Sequence, residues 1–339
     1  MSTLFFQKGW LTWKNLLILG ILLLLVLVPP FANPYIMNVM IMILFYAYLG
    51  QSWNILGGYC GQLSFGHAAF LGIGAYTSTV LYIKLGLTPW IGMWIGGIFG
   101  MLAGIFIGYI GFKYSLKGIF FALVTLSFAE ILRLIALNWW FVGGGMGILI
   151  PTKGTSFSDF QFISKVPFYY MILALLILIL LITAYIERSR MGSYFFAIRE
   201  DEEAAEALGV NTLRYKIIAS AISSFFTALG GTFFAQLLLF IYPDTVFGVD
   251  LSIEILLRPM IGGVGTKLGP VFGAFLLGPV SEIARDLFKG YSGVYLMIYG
   301  LIIVFVVLYM PDGILGWLRG SSYRPIQKKT GNDDATSVA

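Results

Sequence analysis

The chain has 339 residues, of which 59% are hydrophobic and only 11% charged, and its mean hydropathy is +0.89. Soluble domains carry about 25% charged residues, so this composition excludes a soluble globular protein and describes a polytopic membrane protein. The net charge of +5 is not a nucleic-acid footprint, because the basic residues are scattered at the ends of apolar runs, and the single Cys60 excludes an intrachain disulfide.

Lys8 and Lys14 followed by Leu16–Val28 resemble the start of a secretory signal, but the run ends in Pro29-Pro30-Phe31 with no small-x-small cleavage site. A retained first span is expected. Residues 15–83 carry no Asp, Glu, Lys or Arg, which leaves room for three spans, at about 16–34, at about 36–56, and from near Ser64 to Lys84. A fourth is predicted over about Trp90–Phe112 and a fifth over about Gly118–Leu137. The long connection Asn138–Lys165 contains Trp139, Trp140 and a glycine cluster, and paired tryptophans suit the membrane–water interface. The sixth span falls at about 167–186 and the seventh at about 217–240, on either side of a charged island. Residues 251–288 hold two further helices, spans eight and nine or a re-entrant pair, interrupted by Gly262-Gly263-Val264-Gly265. Tyr291–Met310 supplies a tenth, and the polar tail 320–339 is expected to be disordered. The expected fold is an all-α polytopic membrane protein of about ten transmembrane helices, some of them broken, with one transmembrane domain over 1–319.

With both termini inside, fourteen Lys and Arg residues fall on inner segments, against Lys84, Lys153, Lys165 and Lys289 outside. That bias puts the charged island, 187–216, on the cytoplasmic side.

The island holds 11 of the 37 charged residues in 30 positions. Inside it a short helix is readable. Asp201 is its predicted N-cap, and Glu202 and Glu203 occupy the first turn, where the helix dipole favours negative charge. Ala204, Ala205 and Leu208 are assigned to one apolar face, and Gly209, with Asn211 beyond it, to a C-terminal stop. Two isolated turns are marginal in water, so the helix either docks in a groove of another protein or is a turn within a solvated loop.

The most unusual membrane stretch is 57–76, GGYCGQLSFGHAAFLGIGAY, which mixes small residues with Gln62, Ser64 and His67. Such glycine clusters serve either close helix packing or a broken helix facing a water-filled path. His67, the only histidine, has no partners at metal-ligand spacing; it lines the path or is a satisfied buried polar group. Residues 262–276 echo the stretch in a Gly-Gly start and a Gly-Ala-Phe-Leu end, which suggests an internal repeat. Glu130/Arg133, Glu254/Arg258 and Glu282/Arg285/Asp286 are spaced to pair along single helix faces. No Walker A string occurs, so ATP hydrolysis would belong to another chain.

The string Ala197–Asn211, AIREDEEAAEALGVN, resembles the cytoplasmic coupling segment of branched-chain amino acid ABC importer permeases, nearest the LivM type of subunit. Gly61–Tyr76, Glu130–Arg133 and Gly143–Ile148 resemble the same family, in the expected order. The resemblance implies the importer permease fold of the branched-chain amino acid/ribose type. It also implies that Arg199, Glu200, Asp201, Glu202, Glu203, Ala204, Ala205, Glu206, Leu208 and Gly209 meet an ATPase subunit. Gly61, Gln62, Ser64, Gly66 and His67 would help form the translocation path. The implied partners are a second, LivH-like permease, two ATP-binding subunits that hold ATP–Mg, and an extracytoplasmic binding protein, in a bacterial inner membrane. This chain itself would hold no cofactor and catalyse nothing. Urea or a short amide is the alternative cargo. The readings from other classes are a membrane-embedded enzyme, which one histidine and helix-paired acids support poorly, and a solitary ion-coupled carrier.

Overall fold

The computed structural model describes residues 25–31, 33–152, 154 and 156–287, with the isolated positions 297, 300, 301 and 313. Most of the predicted first span, the tenth span and the tail 320–339 lie outside the described residues.

The first long helix, α1 (Pro34–Asn54), continues into a π-helical turn at Ile55–Tyr59 and then into an irregular stretch that ends where α2 (His67–Leu85) begins. Next come α3 (Pro89–Lys113) and α4 (Ile119–Asn138). Pro34 and Pro89 stand in the first turns of their helices, where a missing N–H costs nothing. The long connection after α4 contains β1 (Ile148–Leu149), and then α5 (Val166–Arg188) leads to two short helices, α6 (Arg190–Glu200) and α7 (Glu202–Ala207). The chain continues through α8 (Thr212–Leu238), β2 (Phe240–Ile241), α9 (Pro243–Phe247), α10 (Val249–Gly262) and α11 (Gly269–Leu287). The two strands pair antiparallel, Ile148 opposite Ile241 and Leu149 opposite Phe240.

Six described helices are long and apolar enough to cross a membrane: α1 with its π-turn, α2, α3, α4, α5 and α8. They coincide with predicted spans two to seven to within a few residues. The eighth is corrected. Helix α10 has 14 residues, about 21 Å of helix against a hydrocarbon core of about 30 Å. It also starts inside the fold. Phe247, just before it, stacks on Tyr76 at 5.6 Å between ring centroids and lies against Gly72, both around the middle of α2. The chain therefore forms a half-length helix before the second glycine break, as the re-entrant alternative expects.

Helix α8 sits at the centre, packed on α1, α2 and α3. Its contact with α3 is backbone-close: a Cβ at Gly104 would lie 2.1 Å from Ser224 Oγ, and Ser220 Oγ donates to the Gly104 carbonyl at 2.8 Å. Phe45 of α1 stacks on Phe234 of α8 at 5.2 Å. Helix α4 is the least buried of the six and turns Phe120, Leu123, Ile131 and Ile135 outward.

Two of the three predicted ion sets pair as expected. Arg133 holds Glu130 with two hydrogen bonds, at 2.6 and 2.8 Å, and also pairs with Asp244 of α9. Arg258 pairs with Glu254 at 3.2 Å and lies 3.9 Å over the ring of Tyr46. The side chains of Arg285 and Asp286 lie outside the described residues.

Candidate functional site

The polar island is two helices rather than one. Ser189 caps α6, its Oγ accepting from the Gly192 N–H at 3.3 Å. Asp201 ends α6 and caps α7: Oδ1 accepts from the N–H groups of Glu203 and Ala204 at 2.9 and 3.0 Å. At the other end Gly209, with φ of +86°, donates to the Glu206 carbonyl, and Val210 donates to that of Ala205. This is the Schellman stop, in which a left-handed residue suits glycine. Asn211 plays a different part from the one expected: its Oδ1 accepts from the Arg214 N–H and starts α8.

The apolar face assigned to α7 is also corrected. Ala205 is 2% exposed and turned into the protein, whereas Ala204 is exposed and Leu208 is 85% exposed. At 3.6 residues per turn, positions 204 and 208 share one side while 205 lies about 100° round. Nor does α7 need a foreign groove to hold it. Glu202 pairs with Lys216, Glu206 accepts a hydrogen bond from Thr212, and Glu203 pairs with Lys117 at 3.1 Å. The carboxylate of Glu203 raises the Lys117 pKa above its ordinary value, chiefly through that hydrogen bond. What α7 presents outward is an edge of Glu203, Ala204, Ala207, Leu208 and Gly209, set on a braced helix. Glu200, at the end of α6, is exposed as well.

Behind α6 the two glycine-rich breaks meet. Asn54, the last residue of α1, donates through Nδ2 to the Thr266 carbonyl at 3.0 Å and accepts through Oδ1 from the Gly265 N–H at 2.8 Å. Arg199 of α6 donates through Nη1 to the Gly58 carbonyl at 2.8 Å. The contact region between the breaks is tight: a Cβ on Gly58 would lie 2.6 Å from the Gly265 nitrogen.

The candidate path residues sit at this first break. Gly61 is exposed, with φ of +72°. The other four are buried. Gln62 donates to the Cys60 carbonyl at 3.2 Å, and Ser64 Oγ accepts from the Gly66 N–H while its carbonyl accepts from Trp53 Nε1 at 2.8 Å. His67 Nε2 lies 2.8 Å from Ser223 Oγ of α8. The Ser223 hydroxyl donates to the Ser52 carbonyl at 2.7 Å, so its one proton is engaged and the imidazole donates to it. Among the described residues His67 Nδ1 is buried without a partner.

Sequence reasoning passed over Asn54. It stands near the C-terminal end of the run 36–56, three residues before the glycine pair, and a carboxamide next to a helix break was the available signal.

Residues 35–307 match the family profile described as "Branched-chain amino acid transport system / permease component". The high-affinity branched-chain amino acid transport system permease protein LivM of Escherichia coli (strain K12) is 30% identical over 329 residues, covering 90% of this chain and 76% of that protein. The permease protein LivH of the corresponding system in Salmonella typhimurium is 24% identical over 286 residues, covering 80% of this chain and 91% of that protein. The autoinducer 2 import system permease protein LsrC of the same species is 29% identical over 194 residues, covering 55% of this chain and 52% of that protein. No solved structure matches the chain.

Proposed function

The chain belongs to the branched-chain amino acid transport system permease family, and from that premise we propose that it carries branched-chain or other neutral amino acids across a bacterial inner membrane as one subunit of an ATP-driven importer. The observation that carries the coupling part of this reading is the outward edge of α7. A braced two-turn helix that shows Ala204 and an 85% exposed Leu208 among acids offers a small apolar knob with charged flanks, suited to a cleft on a soluble subunit. Family membership supports the remaining parts: a LivH-like second permease, two ATP-binding subunits that hold ATP–Mg, and a binding protein that delivers substrate from outside. The excess of Lys and Arg on the segments around α6 and α7 supports a cytoplasmic placing for them and for both termini.

In this reading the path runs between the two permeases, and the break at Gly61, Gln62, Ser64, Gly66 and His67 is the part of this chain that rearranges when it opens. Four of those residues are packed and hydrogen-bonded here, so they act on the path by moving as a unit.

The test is to purify the chain with its operon partners and assay the assembly in liposomes for ATP-dependent uptake of leucine, isoleucine and valine. Co-purified ATP-binding subunits and uptake that stops without ATP are expected. Transport by the solitary chain without ATP would replace this reading with that of an independent carrier. Binding of urea or a short amide by the partner binding protein would move the cargo to that class.

A further inference from the structure

We propose that Arg199 is the positioning residue through which the α6–α7 unit moves both glycine breaks at once. This rests on the coupling role given above to α7.

Three observations place it there. Arg199 is exposed as a residue, yet its Nη1 is turned back to the protein and donates to the Gly58 carbonyl at 2.8 Å, in the π-helical turn that ends the first long helix. The same nitrogen occupies the space beside Gly265, where a Cβ would lie 1.9 Å from it. The main chain of Arg199 also abuts the first break, since a Cβ on Gly61 would come within 3.1 Å of Arg199 Cα. One side chain at the end of α6 thus touches the first break at Gly58 and Gly61 and the second at Gly265.

The breaks are already tied to each other by Asn54, which bonds both the Gly265 N–H and the Thr266 carbonyl. They are not a uniform wall. The π-turn at Ile55–Tyr59 and the left-handed Gly265, with φ of +71°, are irregular backbone joined to regular helices on both sides. Irregular backbone can change conformation without unravelling the helices it joins. A charge-assisted hydrogen bond to a carbonyl in such a turn is directional, and it is stronger than a neutral one. Arg199 lies three residues before Glu202, with Asp201 as the cap shared by both helices. A displacement of the outward edge of α7 therefore reaches Arg199 through the shared cap at Asp201, whose carboxylate holds the first turn of α7. Through Arg199 it reaches the ends of α1 and α10 and the starts of the helices that follow them. Lysine reproduces this only in part, because it brings a single ammonium where the guanidinium presents a planar set of donors.

The test uses the complete assembly, with both permeases, the ATP-binding subunits and the binding protein, reconstituted in liposomes. Uptake and ATP hydrolysis are measured on the same preparation, and the readout is substrate taken up per ATP hydrolysed. A merely structural role scales both quantities with the amount of folded protein and leaves the ratio alone. For Arg199→Ala the ratio is expected to fall by about tenfold or more, the scale of losing one charged hydrogen bond. For Arg199→Lys, which keeps the charge and much of the packing, a smaller fall is expected. An unchanged ratio in either variant that assembles overturns the proposal. A wild-type assembly with no ATP-driven uptake would instead overturn the functional reading on which the proposal stands.

Discussion

Lys216 and Glu202 form an ion pair almost closed off from solvent: the lysine side chain is 2% exposed and the glutamate 18%. The same ammonium lies 5.0 Å over the ring of Phe112, at the C-terminal end of α3. The pair fastens α7 to the base of α8, and the ring tethers both to a third helix. Removing one member of a buried pair strands the other charge, at a cost of about 3–5 kcal/mol for fully buried cases. The lysine is the deeper partner, so Glu202→Ala should destabilise more than Lys216→Met, which removes the buried charge and fills the space with an apolar chain of similar length. Apparent melting temperatures of the purified variants in detergent check the order; the reverse order would mean that the glutamate carries the burial cost.

The two faces of α7 predict separable phenotypes. Leu208→Asp and Ala204→Trp change only the outward edge, where side chains are exposed. Both should leave melting temperature and membrane insertion near wild type, since surface changes are usually within about 0.5 kcal/mol. Both should abolish co-purification of the ATP-binding subunits. Ala205→Trp forces a large ring into a site that is 2% exposed and should lower stability by about 1–3 kcal/mol whether or not a partner is present. Retained partner binding in Leu208→Asp would remove this edge from the docking surface.

The spans were legible because length and hydropathy decide them; α1 to α5 and α8 begin and end near Pro34, Pro89, Lys113, Lys165 and Arg188, where charge or proline interrupts the apolar runs. The caps of α7 were legible for a similar reason, because Asp201 and Gly209 act on their own neighbours in sequence. What escaped depends on residues far apart in the chain. Nothing near Ala205 in sequence says that Lys216 pulls its side of the helix inward, and nothing near Asn54 says that Gly265 lies opposite, 211 positions away. The length of α10 stayed open between a full span and a re-entrant helix because an apolar run reads the same whether it crosses the membrane or turns back within it. Only the seating of Phe247 on Gly72 and Tyr76 distinguishes the two.

Arg133 joins α4 to α9 by holding Glu130 and Asp244 together. These side chains are partly exposed, at 23%, 41% and 46%, so solvent screens them and the network is worth about 1 kcal/mol rather than several. Asp244→Asn should therefore lower stability only slightly, with the difference shrinking as salt is raised. Melting curves at low and high ionic strength test this. A loss that is large and independent of salt would show that Asp244 acts through packing of α9 instead of through charge.

His67 offers the sharpest separation between packing and transport. Its Nε2–H is directed at a serine hydroxyl whose own proton is already engaged with the Ser52 carbonyl, so the contact is a one-way donation from histidine to Ser223. Ser223→Ala leaves a buried imidazole N–H without an acceptor and should cost about 1–3 kcal/mol. His67→Leu removes that donor and leaves an apolar side chain between Trp53 and Phe70, whose rings lie 6.4 and 5.6 Å from the imidazole. Replacing both partners by apolar groups is close to neutral, so the double variant His67→Leu/Ser223→Ala should be more stable than Ser223→Ala alone. If His67 acts by holding α2 to α8, uptake by the double variant should follow the amount of folded protein, with the concentration for half-maximal uptake unchanged. If the imidazole instead meets the passing amino acid, that concentration should shift in His67→Leu even where the melting temperature is fully restored.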